Sequence, residues 1–382
     1  MKKFEVKLRV EGDITLLPDS QKIFGYLMNK LSGKLSRNEI DRFIKNIKGN
    51  CMVSNLMPTG YLPTPKDYLM NLIQTKKKNQ QVENTNTVKE EIKELKVLIK
   101  ELNQLNNKNN KNNKENKELK NQIRDKGKEI DKIKKIMEEN ASKFESFSAK
   151  AIYETIKKME YIKREDLTKL IQNLNTEEVC TDLLRQYDYI TKNQKYVQKF
   201  KLESQVRKIP GFPNIAYSLP TVEYRNKTES LQKEFSFYVA VEENSILADE
   251  LRSAKDYKDS IWMFGPKASS GYNCYLLKTI EEFDYIEGKD GEVNYLNLGM
   301  LLPEEDSICW EESIVNIYSS DRRPFELTEN SKKVISFINI GSILVSNQKE
   351  AYRIGTSIKN EYNQLYSNAI IFGNSYLEPL EV

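Results

Sequence analysis

From about Lys76 to Lys143 the composition changes abruptly, and this interruption decides where the cores of the chain can lie. Val88, Ile92, Leu95, Ile99 and Leu102 follow a 4-3-4-3 spacing, and Ile123, Ile130 and Met137 continue in seven-residue steps, but Asn103 to Gln122 holds nine Asn and five Lys. The spacing suits two thin helices, while a polar stretch of about three heptads supplies no seam for a single rod. The region reads as an inserted antiparallel helical hairpin with an Asn/Lys tip, or as low-complexity chain without a packed core. Cores must come from the flanking segments.

Both flanks carry strand and helix signals. Phe4, Val6, Leu8 and Val10 alternate with charged residues, the period-2 pattern of a half-buried strand. Pro18-Asp19-Ser20 precedes Ile23, Phe24, Leu27, Met28 and Leu31 at helical spacing, so an Asp or Ser cap opens a helix. A second helix over Arg37 to Ile47 leads into Leu56 to Leu69, which Pro58, Pro63 and Pro65 hold extended. Beyond the interruption, Glu165 and Asp166 open another helix. Pro210, Gly211, Pro213 and Pro220 break the chain before Phe235, Phe237, Val239 and Val241 alternate as a strand. That places Tyr224-Arg225-Asn226-Lys227-Thr228 at a hairpin tip, where Tyr and Arg can stack on bases and Lys can meet phosphate. With no regular βαβ alternation and no Rossmann glycine pattern, the expectation is an α+β fold of two small sandwiches.

Composition narrows the chemistry. Histidine is absent from the 382 residues, which removes the commonest general base near neutral pH and the commonest nitrogen metal ligand. Four dispersed cysteines (51, 180, 274 and 309), without a CxxC pair, indicate neither a zinc site nor a disulfide framework, and no cofactor motif is present. No apolar run suits a membrane span, so a cytoplasmic chain without membrane contact is expected. The net charge of +4 is small, but residues 1–75 hold twelve Lys and Arg against seven acids, and residues 190–235 hold nine against four. A nucleic-acid role would use such local patches. Glu287 to Glu312, with eight acids and only Lys289, reads as a surface that avoids phosphate and faces a basic protein.

One loop concentrates phosphate-binding chemistry. In WMFGPKASSGYNCYLL, Trp262 to Leu277, Gly265 and Gly271 bracket Lys267, Ser269 and Ser270 between two strand-like segments. Gly at both ends permits positive φ and brings N–H groups, hydroxyls and one ammonium together. A polar hairpin turn with no ligand has the same composition.

Several segments, in order, resemble the repeat-associated mysterious proteins (RAMPs), and in particular the fourth Csm subunits of type III-A CRISPR effector complexes. PDSQKIFGYLMNKL is similar to the family's Ser-Asp-x-Leu-Phe helix start, with Asp19, Ser20, Phe24 and Leu27 matching in type and Lys22 beside them. LMPTGYLPTPKDYL, IKKMEYIKREDLTKLI and FGNSYLEPLEV resemble the family's Pro-rich, following and closing segments. The loop resembles its glycine-rich loop at Gly265, Ser269, Gly271 and Tyr272, although Pro266 and Asn273 replace glycines and Ala268 stands where Arg is usual.

The resemblance implies two tandem ferredoxin-like (RRM-like) folds: residues 1–285, interrupted by the 76–143 insertion, and residues 286–382. It also implies no catalysis, capping of the crRNA 5′ handle, contact with the guide-target duplex, and docking to the large polymerase/cyclase subunit and the backbone RAMP subunit. A thumb would span about Pro210 to Phe235, with Arg225, Asn226 and Lys227 on RNA. RNA contacts are expected at Asp19, Ser20, Lys22, Gly265, Lys267, Ser269, Ser270, Gly271 and Tyr272. Three other readings stay open: the equivalent cap of a type III-B or type I complex, a repeat-RNA endoribonuclease using Tyr224 or Tyr272 beside Lys227 or Lys267, and a coiled-coil adaptor.

Overall fold

The computed structural model describes residues 1–47, 50–75, 93, 97, 121–125, 127–128, 131–132, 135, 149–176, 181–201, 215–286, 293–320, 335–360 and 369–380. The opening alternation forms β1 (Lys2–Val10), whose Phe4, Val6 and Leu8 are fully buried. The next strands are β2 (Cys51–Val53), β3 (Met57–Pro58), β4 (Tyr61–Pro63), β5 (Tyr161–Lys163), β6 (Tyr189–Lys201), β7 (Ile215–Arg225), β8 (Glu234–Val241), β9 (Ile261–Met263) and β10 (Cys274–Asp284). An all-antiparallel sheet runs β2-β8-β1-β10-β9, with β3 also on β8. Helix Ser20–Ser32 follows β1 and helix Ile246–Ala254 follows β8, so the chain order through this sheet is β-α-β-β-α-β.

Both helices cover the face that carries Phe4 and Phe237. Arg252 of the second helix lies over the Phe4 ring, and Tyr26 of the first helix reaches Trp262 of β9, which in turn touches Phe237. The other face of β8 is buried as well, because Tyr376 packs on Tyr238 at 5.5 Å and Lys3 lies over both rings. Tyr376 directly precedes a strand near the C-terminus. The remaining strands are β11 (Val293–Asn297), β12 (Ile317–Ser320), β13 (Ile335–Ile338), β14 (Ile343–Ser346), β15 (Ile358–Lys359), β16 (Ile370–Ile371) and β17 (Leu377–Leu380). They form the sheet β14-β11-β17 and the ribbons β12-β13 and β15-β16, with Met300, Phe337 and Ile371 as a local core.

Four segments meet at one point. Val53 N–H donates to the Asn374 carbonyl and Tyr376 N–H to that of Val53, while Asn55 N–H donates to Leu298 O and Met300 N–H to the Ser20 hydroxyl. Residues 1–68, 157–173 and 186–382 form one compact unit. A second unit holds residues 69–156 and 174–185, with Leu69, Ile73, Ile152, Ile156 and Leu184 buried. The expected 76–143 hairpin lies mostly outside the described residues. Among those residues no helix is long and apolar enough to cross a membrane.

The hairpin differs from the sequence expectation. β6 pairs with β7 from Thr191↔Arg225 to Lys201↔Ile215, and Arg225 to Thr228 sit where β7 turns into β8, while Pro210, Gly211 and Pro213 lie outside the described residues. Pro220 pairs with Tyr196 inside β7. In the order β4-β5-β6-β7 this strand is the edge, where a missing N–H is tolerated.

A glycine pair tests the junction. A Cβ on Gly299 would stand 2.8 Å from Ser375 Oγ and 2.9 Å from Val53 O, whereas a Cβ on Gly25, in helix Ser20–Ser32, meets nothing within 4 Å. Gly299→Ala is expected to destabilise the fold by about 1–3 kcal/mol through overpacking. Gly25→Ala should be neutral or stabilising by up to about 1 kcal/mol. Paired urea titrations measure both.

Candidate nucleic-acid interface

The Gly265–Gly271 loop joins β9 to β10 and is set by backbone handedness. Gly265 (φ 113°), Lys267 (59°), Gly271 (81°) and Asn273 (50°) all lie in the left-handed region, which Gly adopts freely and Asn tolerates. Between them Ala268–Ser270 forms a single 3-10 turn, closed by Ser270 N–H on Lys267 O (2.9 Å) and Gly271 N–H on Ala268 O (3.1 Å). These N–H groups are spent inside the turn, so the cradle of bare donors expected from the sequence is smaller than anticipated. Lys267, Ser269, Ser270 and Gly271 are exposed.

Asn273, fully buried, fastens the loop to residues 12–15. Its Nδ2 donates to Pro266 O (2.6 Å) and to Thr15 Oγ1 (2.8 Å), its Oδ1 accepts from Thr15 N–H (3.3 Å), and its own N–H donates to Asp13 O (3.0 Å). Gly12 passes so close that a Cβ there would lie 2.6 Å from Gly271 O. Ile14 O accepts from Val222 N–H of β7 at 2.7 Å. Residues 12–15 therefore tie the loop to the strand that ends in Arg225, three residues and about 10 Å further on. The two basic segments singled out in the sequence hang on one backbone connection.

The helix start adds a third group. Asp19 caps helix Ser20–Ser32 by accepting from Lys22 N–H at 2.8 Å, and its carboxylate also holds the Lys22 ammonium. Lys22, Tyr26 and Lys30 share one helical face. Tyr26 lies 4.9 Å from Phe264 and Lys30 Nζ 4.1 Å from the Trp262 centroid, so this face turns toward the strand that leads into the loop. Burial pushes the Lys30 ammonium down and the Tyr26 phenol up from their ordinary values. Both act as packing groups.

Other expected contacts are placed differently. Ser20 is fully buried: its N–H donates to Asn55 Oδ1 at 2.7 Å and its hydroxyl accepts from Met300 N–H, so it holds the helix start inside the protein. Tyr272 is 4% exposed and Tyr224 3%, the latter packed edge-on to Tyr161 and Phe235. Burial pushes the Tyr224 phenol far up, which leaves it a poor proton acceptor. Arg225 is bound to the Glu223 carboxylate and to Glu229 O, with Glu223 held below the usual carboxylate range by hydrogen bonds from Lys195 and Arg225. The Asn226 side chain accepts from Thr228 and Ser230 and so shapes the turn, while exposed Lys227 lies 5.6 Å from the Tyr189 ring. Thr15 and Val222 were not singled out in the sequence, and Asn273 only as a replacement for a family glycine. An Asn two residues after a loop glycine was the one local hint.

No family model and no curated protein matches the chain. Solved structures do. The chain is similar to one in a Csm1-Csm4 cassette in complex with cA4 (12% identity, 100% of this chain and 98% of that chain covered, TM-score 0.47). It is also similar to one in a Csm3-Csm4 subcomplex of the type III-A CRISPR-Cas interference complex (16% identity, 100% of each chain, TM-score 0.44).

Asn273 should control the loop. Asn273→Ala removes buried amide bonds at a left-handed residue and is expected to cost about 2–4 kcal/mol, with faster exchange of the Ser270 and Gly271 amides. Asn273→Gly, which keeps the backbone conformation, should recover about 1 kcal/mol of that loss. Denaturant titration with hydrogen exchange reads both effects.

Proposed function

We propose that this chain is a non-catalytic RNA-binding subunit of a type III-A CRISPR effector complex, capping the crRNA 5′ handle and docking the large polymerase/cyclase subunit and the backbone RAMP subunit. The observation that carries the reading is the junction at residues 12–15, which joins the exposed Lys267-Ser269-Ser270 loop to the end of β7. Two segments that the resemblance puts on RNA, the loop and the end of β7, are thus joined in one framework through residues 12–15. The order β-α-β-β-α-β, with neighbours β2-β8-β1-β10, is that of a ferredoxin-like (RRM-like) fold. The same reading assigns residues 286–382 to a second such fold, whose described elements are short strands and a 3-10 turn.

Chemically, the interface suits a phosphate backbone. A stiff loop offers one ammonium and two hydroxyls to a phosphate. The two tyrosines of the endoribonuclease alternative, Tyr224 and Tyr272, are buried, which supports the cap over that reading.

Purification of the chain with its operon partners should yield a short RNA with a uniform 5′ end, recovered uncut. Lys267→Ala with Lys22→Ala should weaken handle binding by about tenfold or more at physiological salt and lower the salt slope by about one to two. Filter binding across a salt series measures this. Absence of a copurifying RNA, or an unchanged slope, contradicts the proposal.

A further inference from the structure

We infer that a cleft far from the loop in sequence, formed where the Pro-rich segment meets the turn between β13 and β14, is a seat for an arginine side chain of a protein partner. The cleft has a volume of about 220 Å³, and its walls include Thr64, Lys66, Asp67, Glu160, Asn316 and Gly341. All of these belong to the same compact unit.

The charge balance selects the ligand. Lys66 Nζ lies 2.5 Å from Glu160 Oε2 and donates to Lys157 O at 3.0 Å, so this ammonium is fully engaged and its charge is cancelled. Asp67 is exposed, and its partner is the neutral Asn316 Nδ2 at 3.2 Å. One ammonium against two carboxylates leaves the cleft with one uncompensated negative charge, seated on Asp67. Such a site repels phosphate and accepts a cation that carries hydrogen-bond donors. A guanidinium satisfies a carboxylate through two parallel N–H bonds and presents a flat face for packing, neither of which a point-like ammonium does.

The surroundings point to a protein as the source. Directly after Asn316, Ile317 and Tyr318 are 64% and 49% exposed in β12. Exposed aliphatic and aromatic side chains beside a polar seat gain from being covered by a protein surface, and arginine and tyrosine are the residues around which binding energy concentrates. A small polycation would leave these side chains in water. The inference stands on the cleft alone and does not depend on the RNA-capping reading.

The test titrates the full chain with acetyl-arginine amide, acetyl-lysine amide and AMP, following the backbone amides of Ile340 and Gly341 by NMR. The arginine compound should shift these amides saturably and bind more tightly than the lysine compound. Asp67→Asn, at an exposed position, should weaken it by about tenfold, the loss of one charge-assisted pairing, without changing the thermal midpoint. The inference is overturned if the arginine compound leaves these amides unmoved, if lysine binds equally well, if AMP shifts the same amides, or if Asp67→Asn binds arginine as tightly as the parent.

Discussion

The crossing at Gly299 governs the rest of the larger unit. Val53 to Asn55 lies between Leu298–Met300 and Asn374–Tyr376 and exchanges backbone hydrogen bonds with both, while the Ser20 hydroxyl closes the point by accepting from Met300 N–H. There is no room for a methyl group at Gly299. A backbone N–H buried there without a partner would cost about 1–3 kcal/mol, so the four segments must arrive together or not at all. This is why residues near both ends of the chain belong to one unit, and why both faces of β8 are covered.

The candidate interface inherits its rigidity from that crossing. Ser20 fixes where the first helix begins, and the Asp19 cap then fixes Lys22 at its first turn. From the other side, Asn273 and residues 12–15 hold the Gly265–Gly271 loop against β1 and β7. The exposed ammonium and hydroxyls of the loop sit on a framework whose polar groups are largely used internally. Preorganisation of this kind lowers the ordering cost of binding a flexible strand.

Much of the local structure was legible in the sequence, and the long-range part was not. The alternation of Phe4, Val6 and Leu8 announced a strand, the Asp19 cap announced a helix, and the bracketing glycines announced positive φ. The burial of Ser20 depended on Met300, 280 residues away, and the anchoring role of Asn273 depended on Thr15, 258 residues away. Nothing in the local pattern distinguishes a Ser that faces solvent from one that faces a distant N–H. The β6–β7 hairpin was misplaced for a different reason: Pro220 resembled a chain break, whereas an edge strand accommodates it. Alternation also understated β8, where Tyr238 and Ala240 point away from Phe237 yet are buried, Tyr238 against Tyr376.

The most direct test of the central claim is photo-crosslinking of the assembled complex carrying an RNA labelled at its 5′ end, with the crosslinked peptides mapped by mass spectrometry. A cap that uses this interface predicts that nucleotides of the 5′ handle crosslink to the peptide containing Lys267 to Tyr272. Crosslinks from the 5′ handle that fall entirely on other subunits, or only on the 3′ half of the guide for this peptide, would contradict it.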